Sequence, residues 1–410
     1  MVLLSRLLRM LITVGSLTVI DSRGRQHRFA GRSPGPDMTI RLHDRSLEWA
    51  MAINPRLAVG EGYMDGRLTI ETGDIYDFLD FCGRNTSRFG SYETFDPLYR
   101  VEMLFRRLQQ FNPVGRAQKN VAHHYDLSGK LYDLFLDSDR QYSCAYFRTD
   151  NDTLEVAQDN KKRHIASKLL LNPGCRVLDI GSGWGGLGIY LAKAGAGEVH
   201  GVTLSTEQHE RSNRRASDAG LGSKVKFHLR DYRHEAGTYD RIVSVGMFEH
   251  VGVRHYAEFF AKLRQLLADD GVALLHSIGR SDGPGVTNPW IRKYIFPGGY
   301  SPALSEVIRV IEQSGLWVTD VEVLRLHYAD TLREWRRRFA ASRDEVRRIY
   351  DERFCRMWEF YLAGSEVAFR REGHMVFQIQ IAKRADAVPR TRDYMHDWES
   401  MHAATGALAH

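Results

Sequence analysis

The spacing of apolar residues changes character along the chain, and each change marks a different kind of element. Val2 to Val14 is an apolar run broken by Arg6 and Arg9, which share one side of a helix. Short strand-like runs follow at 17–20, 26–29 and 38–42, with a turn from Asp21 to Gly24 between the first two. Helical spacing appears at 45–53, 74–82 and 97–110, while 57–70 mixes glycine with apolar residues. Together they predict a small α+β domain over 1–110. It holds no chemical motif, so binding or assembly is expected of it.

Residues 111–119 read as a linker. Asn120-Val-Ala-His-His-Tyr-Asp-Leu127 is dense in polar side chains, and 131–136 looks helical. Gln141-Tyr-Ser-Cys-Ala-Tyr-Phe147 sets a thiol among aromatics. Residues 153–170 predict a long helix with Gln158, Lys161 and Lys162 on its polar side. Continuous apolar runs at 177–180, 198–204, 225–229, 239–245 and 271–278 then alternate with helical spacing at 187–194, 206–219 and 254–267. That alternation is the mark of a parallel sheet covered by helices, a Rossmann-like α/β fold. The runs at 318–326 and 374–383 alternate instead, and add an antiparallel pair at one edge.

Two stretches interrupt the sheet pattern: a glycine- and proline-rich insertion over 280–303 and an aromatic helical pair over 331–371. Aromatics at helical spacing usually form core. The alternative is an apolar slot for a long hydrophobic substrate, with Arg336, Arg337 and Arg338 at its mouth for phosphate. No periodicity is visible over 385–410, which reads as a tail.

Charge adds one asymmetry. The formal net charge is +6, yet residues 1–56 alone hold nine arginines against four acids. A basic first segment points to an anionic partner, membrane or nucleic acid, or else to a solvated basic face. No nucleic-acid-binding signature supports the second partner. The apolar start is too short to span a bilayer, which takes ~20 apolar residues, and lacks a signal peptide's basic flank. It suits a membrane interface or a helix packed on its own domain. The four cysteines are scattered, which argues against a disulfide framework or a zinc site. No histidine–carboxylate spacing suits a metal.

The chemistry gathers at Arg176-Val-Leu-Asp-Ile-Gly-Ser-Gly-Trp-Gly-Gly186, a strand, a glycine turn and a helix start. Such a turn lets a ligand approach the backbone and offers unpaired N–H groups. The glycines fit a dinucleotide fingerprint, but the next strand ends without the acid that grips a ribose. Asp179, two residues before the first glycine, favours S-adenosylmethionine. Asp231 and Glu249-His250 follow the third and fourth strands, where ligands of such sheets bind.

These motifs resemble the cyclopropane-fatty-acid synthases, methyltransferases that act on unsaturated acyl chains of phospholipids. The stretches carrying the resemblance are Asn120 to Leu127, Tyr142-Ser-Cys-Ala-Tyr-Phe, Leu178-Asp-Ile-Gly-Ser-Gly-Trp-Gly-Gly, Gly201-Val-Thr-Leu-Ser, Asp231-Tyr-Arg, Val245-Gly-Met-Phe-Glu-His-Val, Leu275-His-Ser-Ile, Ile295-Phe-Pro-Gly-Gly-Tyr and Leu326-His-Tyr-Ala. Departures are Ser182 and Ser365, each where some members carry cysteine.

The resemblance implies a class I methyltransferase sheet over 120–384, with 280–303 and 331–371 as a helical lid. It implies S-adenosylmethionine bound by Tyr142, Ser143, Gly181, Gly183, Thr203, Gln208 and Asp231, with His124 nearby. It further implies a bicarbonate ion caged by Cys144, Glu249, His276, the Ile278 backbone and Tyr328. Glu249 as the direct base is the simpler rival. The bland alternatives are a surface carboxylate at a helix start for Glu249 and a satisfied core histidine at a strand end for His276; without the resemblance Cys144 reads as a buried, inert thiol. Tyr142, Tyr146, Phe248 and Tyr328 are candidates to stabilise a carbocation. The implied product is a cyclopropane; a methyl-branched or methylene chain is the alternative. The implied setting is the cytoplasmic face of a bacterial membrane with anionic phospholipid, reached peripherally, with dimerisation through the N-terminal domain.

Overall fold

A computed structural model describes residues 1–86 and 129–403. The expected helix at 97–110, the linker and the segment holding His123 and His124 lie outside the described residues. What is described divides into two compact units. One comprises 1–86, 286–297 and 332–373, and the other 129–285, 298–331 and 374–403. The segments expected to be a lid on the catalytic domain therefore split: 286–297 and 332–373 group with the N-terminal residues.

The first unit opens with helix α1 (Val2–Leu11) and strands β1 (Val14–Ile20), β2 (Gln26–Ala30) and β3 (Ser33–Leu42). Helices α2 (Arg45–Ile53) and α3 (Pro55–Met64), strand β4 (Leu68–Ile70) and helix α4 (Ile75–Thr86) complete it. The sheet order is β2-β1-β3-β4, with β1 and β3 parallel. Asp21 builds the first turn by accepting from the N–H groups of Arg23 and Arg25. The mixed stretch at 57–70 contains a full helix, because its glycines serve packing. A Cβ on Gly60 would lie 2.5 Å from the Trp290 ring, and one on Gly62 2.9 Å from Leu47.

The second unit begins with α5 (Gly129–Phe135) and α6 (Leu154–Lys168). Strand and helix then alternate: β5 (Arg176–Ile180), α7 (Gly186–Lys193), β6 (Glu198–Thr203), α8 (Thr206–Asp218), β7 (Val225–Leu229), β8 (Tyr239–Val245), α9 (Tyr256–Leu266) and β9 (Leu267–Arg280). Helix α10 (Pro289–Tyr294) belongs to the first unit. The chain continues through α11 (Leu304–Gln313), β10 (Trp317–Val323), α12 (His327–Ala341), α13 (Arg343–Ile349), α14 (Glu352–Arg371), β11 (His374–Ala382) and α15 (Asp393–Ala403).

The seven strands run β10-β11-β9-β8-β5-β6-β7. β11 is antiparallel to both neighbours, so the expected antiparallel edge pair is present. β5 sits between β6 and β8: the chain runs from β5 out through β6 to β7, then crosses back to β8 on the other side of β5, and a crevice opens at such a switch point.

Three expectations change. The polar side of α6 is buried: Gln158 and Lys161 are each 1 % exposed. Residues 385–410 are not featureless, since α15 packs on α6 and buries Met395. The aromatics of α12 and α14 are mostly core of the first unit, with Trp335, Phe339, Trp358 and Tyr361 all buried. There Arg336 is held by Glu366 and Asp74, and Arg337 by Glu334, so neither is free for a phosphate.

Candidate active site

One cavity lies at the C-terminal ends of β5, β6, β7 and β8. It is lined by Tyr142, Ser143, Gly181, Gly183, Thr203, Gln208 and Asp231, the whole set expected to bind the cofactor. The strand ends and their first turns explain the convergence. Gly181 and Gly183 have φ of +85° and +54°, the left-handed region that glycine enters freely. Gly181 N–H donates to Val202 O at 2.9 Å, pinning the loop to β6. Gly185, at φ +84°, begins α7. A Cβ on Gly181 would meet Met247 Cβ at 2.7 Å, whereas one on Gly183 would meet nothing within 4 Å.

Thr203 Oγ1 donates to Gln208 Oε1 at 2.8 Å, and Ser205 caps α8 through Gln208 N–H. Asp231 caps the turn Tyr232–His234 and accepts two bonds from the Arg233 guanidinium, at 2.9 and 2.7 Å. Burial alone would raise its pKa, but Arg233 holds it below the ordinary carboxylate range. Ser143 is steadied from α6: its Oγ accepts from Lys161 Nζ at 2.9 Å, and its carbonyl from Gln158 at 3.0 Å. Burial pushes Lys161 down to about 8. Asp179 also lines the cavity. Its Oδ2 is buried with no partner among the described residues, and burial raises its pKa to about 7.

Glu249 stands between Met247 and His250, which both line the cavity. It is no surface carboxylate. Its Oε1 accepts from Ile278 N–H at 2.7 Å, while Oε2 is buried with no partner among the described residues. Burial raises its pKa to about 7. The Ile278 backbone, expected to face an anion, is otherwise engaged: N–H on Glu249, and the carbonyl accepting from Ser277 Oγ at 2.9 Å. His276 lies two residues back on β9, and its Nδ1 meets Gln378 Nε2 at 3.1 Å. Burial, then the charges of Lys161 and Lys168, push its pKa down to about 3.

Cys144 is buried, its Sγ donates to Ala145 O at 3.3 Å, and burial drives its pKa up. Ala145 N–H donates to Thr331 Oγ1, which donates to His327 O. That bridge ties the Cys144 segment to the first turn of α12, where Tyr328 is buried. Two aromatic candidates are otherwise occupied. Phe248 is fully buried against Tyr256, Phe259 and Phe260. Tyr146 is stacked at 4.2 Å on His164 and at 4.6 Å on His327, which covers both its faces. Sequence reasoning missed Lys168, Gln378, His164, Glu322 and Glu399. The available signal was Gln378 and Gln380 inside the otherwise apolar run of β11, both 1 % exposed.

The family described as mycolic acid cyclopropane synthetase matches residues 114–379. The chain belongs to that family. The probable fatty acid methyltransferase of Pseudomonas putida is 35% identical over 375 residues, 88% of this chain and 92% of the relative. The cyclopropane-fatty-acyl-phospholipid synthase of Escherichia coli is 37% identical over 329 residues, 80% of this chain and 83% of the relative. The mycolic acid cyclopropane synthase CmaA1, solved with SAH and CTAB, superposes with TM-score 0.61 at 33% identity, covering 66% of this chain and 99% of that one. The protein is thus an S-adenosylmethionine-dependent methyltransferase with the class I fold, from a family whose transfers go to lipid acyl chains.

Proposed function

We propose that this enzyme is a cyclopropane-fatty-acyl-phospholipid synthase. It joins the methyl carbon of S-adenosylmethionine to both carbons of a cis double bond in a phospholipid acyl chain. The observation that supports this reading is a glycine-cradled cavity whose lining residues Met247 and His250 flank Glu249 in sequence, a buried acid with one unpartnered oxygen among the described residues.

An alkene is a poor nucleophile, and alkylating it leaves a carbocation. The protein must position the reactants, exclude water and take a proton. S-adenosylmethionine supplies an electrophilic methyl group. Gly181 and Gly183 admit it by their backbones, Tyr142 and Ser143 cover it, and Thr203, Gln208 and Asp231 line its polar end. The rings of Tyr142 and Tyr328 suit a developing cation, at roughly 0.5–2 kcal/mol each.

The reaction side fits a small anion. Glu249 is neutral below about pH 7, His276 is neutral, and Cys144 keeps its thiol proton. A neutral carboxyl can donate to an anion; a carboxylate repels one. Bicarbonate would be held by Glu249, His276, Cys144 and Tyr328, with Ile278 orienting Glu249, and would supply a base. Direct proton removal by Glu249 is the rival, and activity that survives complete removal of bicarbonate from the buffer would establish it.

The substrate lies in a bilayer, and the first unit suits that surface. α1 exposes Val2, Leu3 and Met10 beside Arg6 and Arg9. Among the described residues no helix is long and apolar enough to cross a membrane. In this reading the enzyme binds anionic phospholipid peripherally, on the cytoplasmic face, and vesicle cosedimentation should weaken as salt rises. Salt-independent cosedimentation would reject the electrostatic part.

The name of the Pseudomonas putida relative favours a second reading, a methyl-branched or methylene product. Labelled S-adenosylmethionine with vesicles of cis-unsaturated phospholipid, followed by mass and proton NMR of the acyl chains, separates the two. Ring protons support the first reading, a branched methyl or an exomethylene group the second, and unaltered chains neither.

A further inference from the structure

We infer that Lys168 and Gln378 are positioning residues that lock His276 in a single tautomer, with its proton on Nε2 and a lone pair on Nδ1. His276 and Gln378 face each other directly in the β9–β11 register, so their side chains share one face of the sheet. Gln378 Nε2 lies 3.1 Å from His276 Nδ1, and Gln378 Oε1 accepts from Lys168 Nζ at 2.7 Å. All three side chains are buried, with His276 2 %, Gln378 1 % and Lys168 1 % exposed.

The direction of each bond follows from the donor inventory. Lys168 Nζ also pairs with Glu322 Oε2. Burial alone would raise Glu322, but hydrogen bonding and charge from His164 and Lys168 outweigh it and hold its pKa to about 2. Burial lowers the Lys168 pKa, but the charge and hydrogen bond of Glu322 oppose it; paired with that carboxylate Lys168 is an ammonium, which donates and cannot accept. Gln378 must therefore turn its oxygen to Lys168 and its nitrogen to His276. An amide nitrogen donates only, so Nδ1 must accept. A neutral His276 then carries its single proton on Nε2.

The lock is anchored well away from β9. Glu322 on β10 also takes His164 Nε2 at 2.6 Å, and His164 Nδ1 pairs with Glu399 on α15. Burial alone would lower the His164 pKa, but its two carboxylate partners raise it. Glu399, His164, Glu322 and Lys168 thus alternate in charge and fix the lysine that orients Gln378. The C-terminal helix completes a buried network that ends on His276.

The tautomer rests on this geometry alone; its use in turnover rests on the reading above, in which Nε2–H donates to an anion. The test is NMR of protein labelled with 15N in histidine. Among 17 histidines, His276 is identified by the signal lost in His276→Asn. The expected wild-type pattern is a protonated Nε2 and a bare Nδ1. Gln378→Glu keeps the size of the side chain and a partner for Lys168, but its carboxylate only accepts, so Nδ1 should become protonated. Turnover on cis-unsaturated vesicles should fall about 100-fold, the scale of losing one preorganised donor, with S-adenosylmethionine affinity within about threefold. Lys168→Arg keeps a donor and should keep the wild-type pattern, whereas Lys168→Met frees the amide to flip and should mix the tautomers. A protonated Nδ1 in the wild type overturns the inference, as does a bare Nδ1 in Gln378→Glu. An inverted tautomer with unchanged turnover leaves the lock standing and removes His276 from the reaction.

Discussion

The two sides of the proposed active site are built by different means. The cofactor side is local. Gly181, Gly183 and Asp179 come from one strand and its turn, and Thr203, Gln208 and Asp231 from the next two strand ends. Their contacts are short in sequence, such as Thr203 to Gln208 or Asp231 to Arg233. The reaction side is assembled at long range. Glu249 reaches Ile278, Cys144 is tied to α12 through Thr331, and His276 depends on Gln378 and Lys168. Loop geometry can be written in a few adjacent residues. A proton-holding pocket needs desolvation, and desolvation is a property of the whole packed unit.

The strongest way to break this contrast is Glu249→Gln. Its side chain belongs to the reaction side, so the cofactor side should not feel it. Turnover should drop roughly 10²–10³-fold, the scale of losing one group that acts on the reacting charge in a dry site, because a glutamine amide can donate to the anion but cannot take up or pass on a proton. S-adenosylmethionine affinity by calorimetry should stay within a few-fold. Loss of affinity together with turnover would mean that the two sides act as one.

A smaller effect tests what they share. Asp179 and Glu249 each bury a carboxyl oxygen without a partner among the described residues, and burial raises both pKa values to about 7. The folded state therefore holds protons that the unfolded state releases at ordinary carboxylate pKa. This contribution is full below those ordinary values and is lost as pH rises through about 7. Urea unfolding should show stability falling between about pH 5 and 8, by up to about 3 kcal/mol per group. Asp179→Asn and Glu249→Gln should each flatten the fall. The sides then diverge on ligand binding. S-adenosylmethionine is a cation, and a cation in the cavity that Asp179 lines favours the Asp179 carboxylate, so its binding near pH 6 should release protons, and Asp179→Asn should abolish that release. Calorimetry in two buffers of different ionisation heat measures it.

The same contrast decides what the sequence disclosed. The alternation of strands and helices, the glycine turn and the seven residues that line one cavity were legible, because periodicity and turn chemistry are local signals. The stretch at 57–70 misled because its glycines admit Trp290 and Leu47, contacts invisible along the chain. Gln158 and Lys161 looked like a solvated helix face, yet they hold the Tyr142–Ser143 segment from beneath. Residues past 385 looked featureless, yet α15 meets the sheet domain through Tyr394, Met395, Trp398 and Glu399. Each miss turns on a partner outside the residue's own element.

The smallest predicted effects separate backbone strain from packing within the cofactor loop. Gly181 and Gly183 both sit in the left-handed region, which costs a side chain roughly 1–2 kcal/mol. They differ in what a Cβ would meet: Met247 at 2.7 Å for Gly181, open space for Gly183. Gly181→Ala must add a shift of the β8 end to the strain, for about 2–3 kcal/mol in total. Because Met247 leads into Glu249, that shift should also reach turnover. Gly183→Ala should cost only about 1 kcal/mol of stability. Its methyl would stand in the cavity proposed for the cofactor, so its main effect should be on S-adenosylmethionine affinity, with Glu249 undisturbed. Equal stability losses for the two variants, by urea unfolding without ligand, would show that strain alone governs the loop and that its packing on β8 carries no energy.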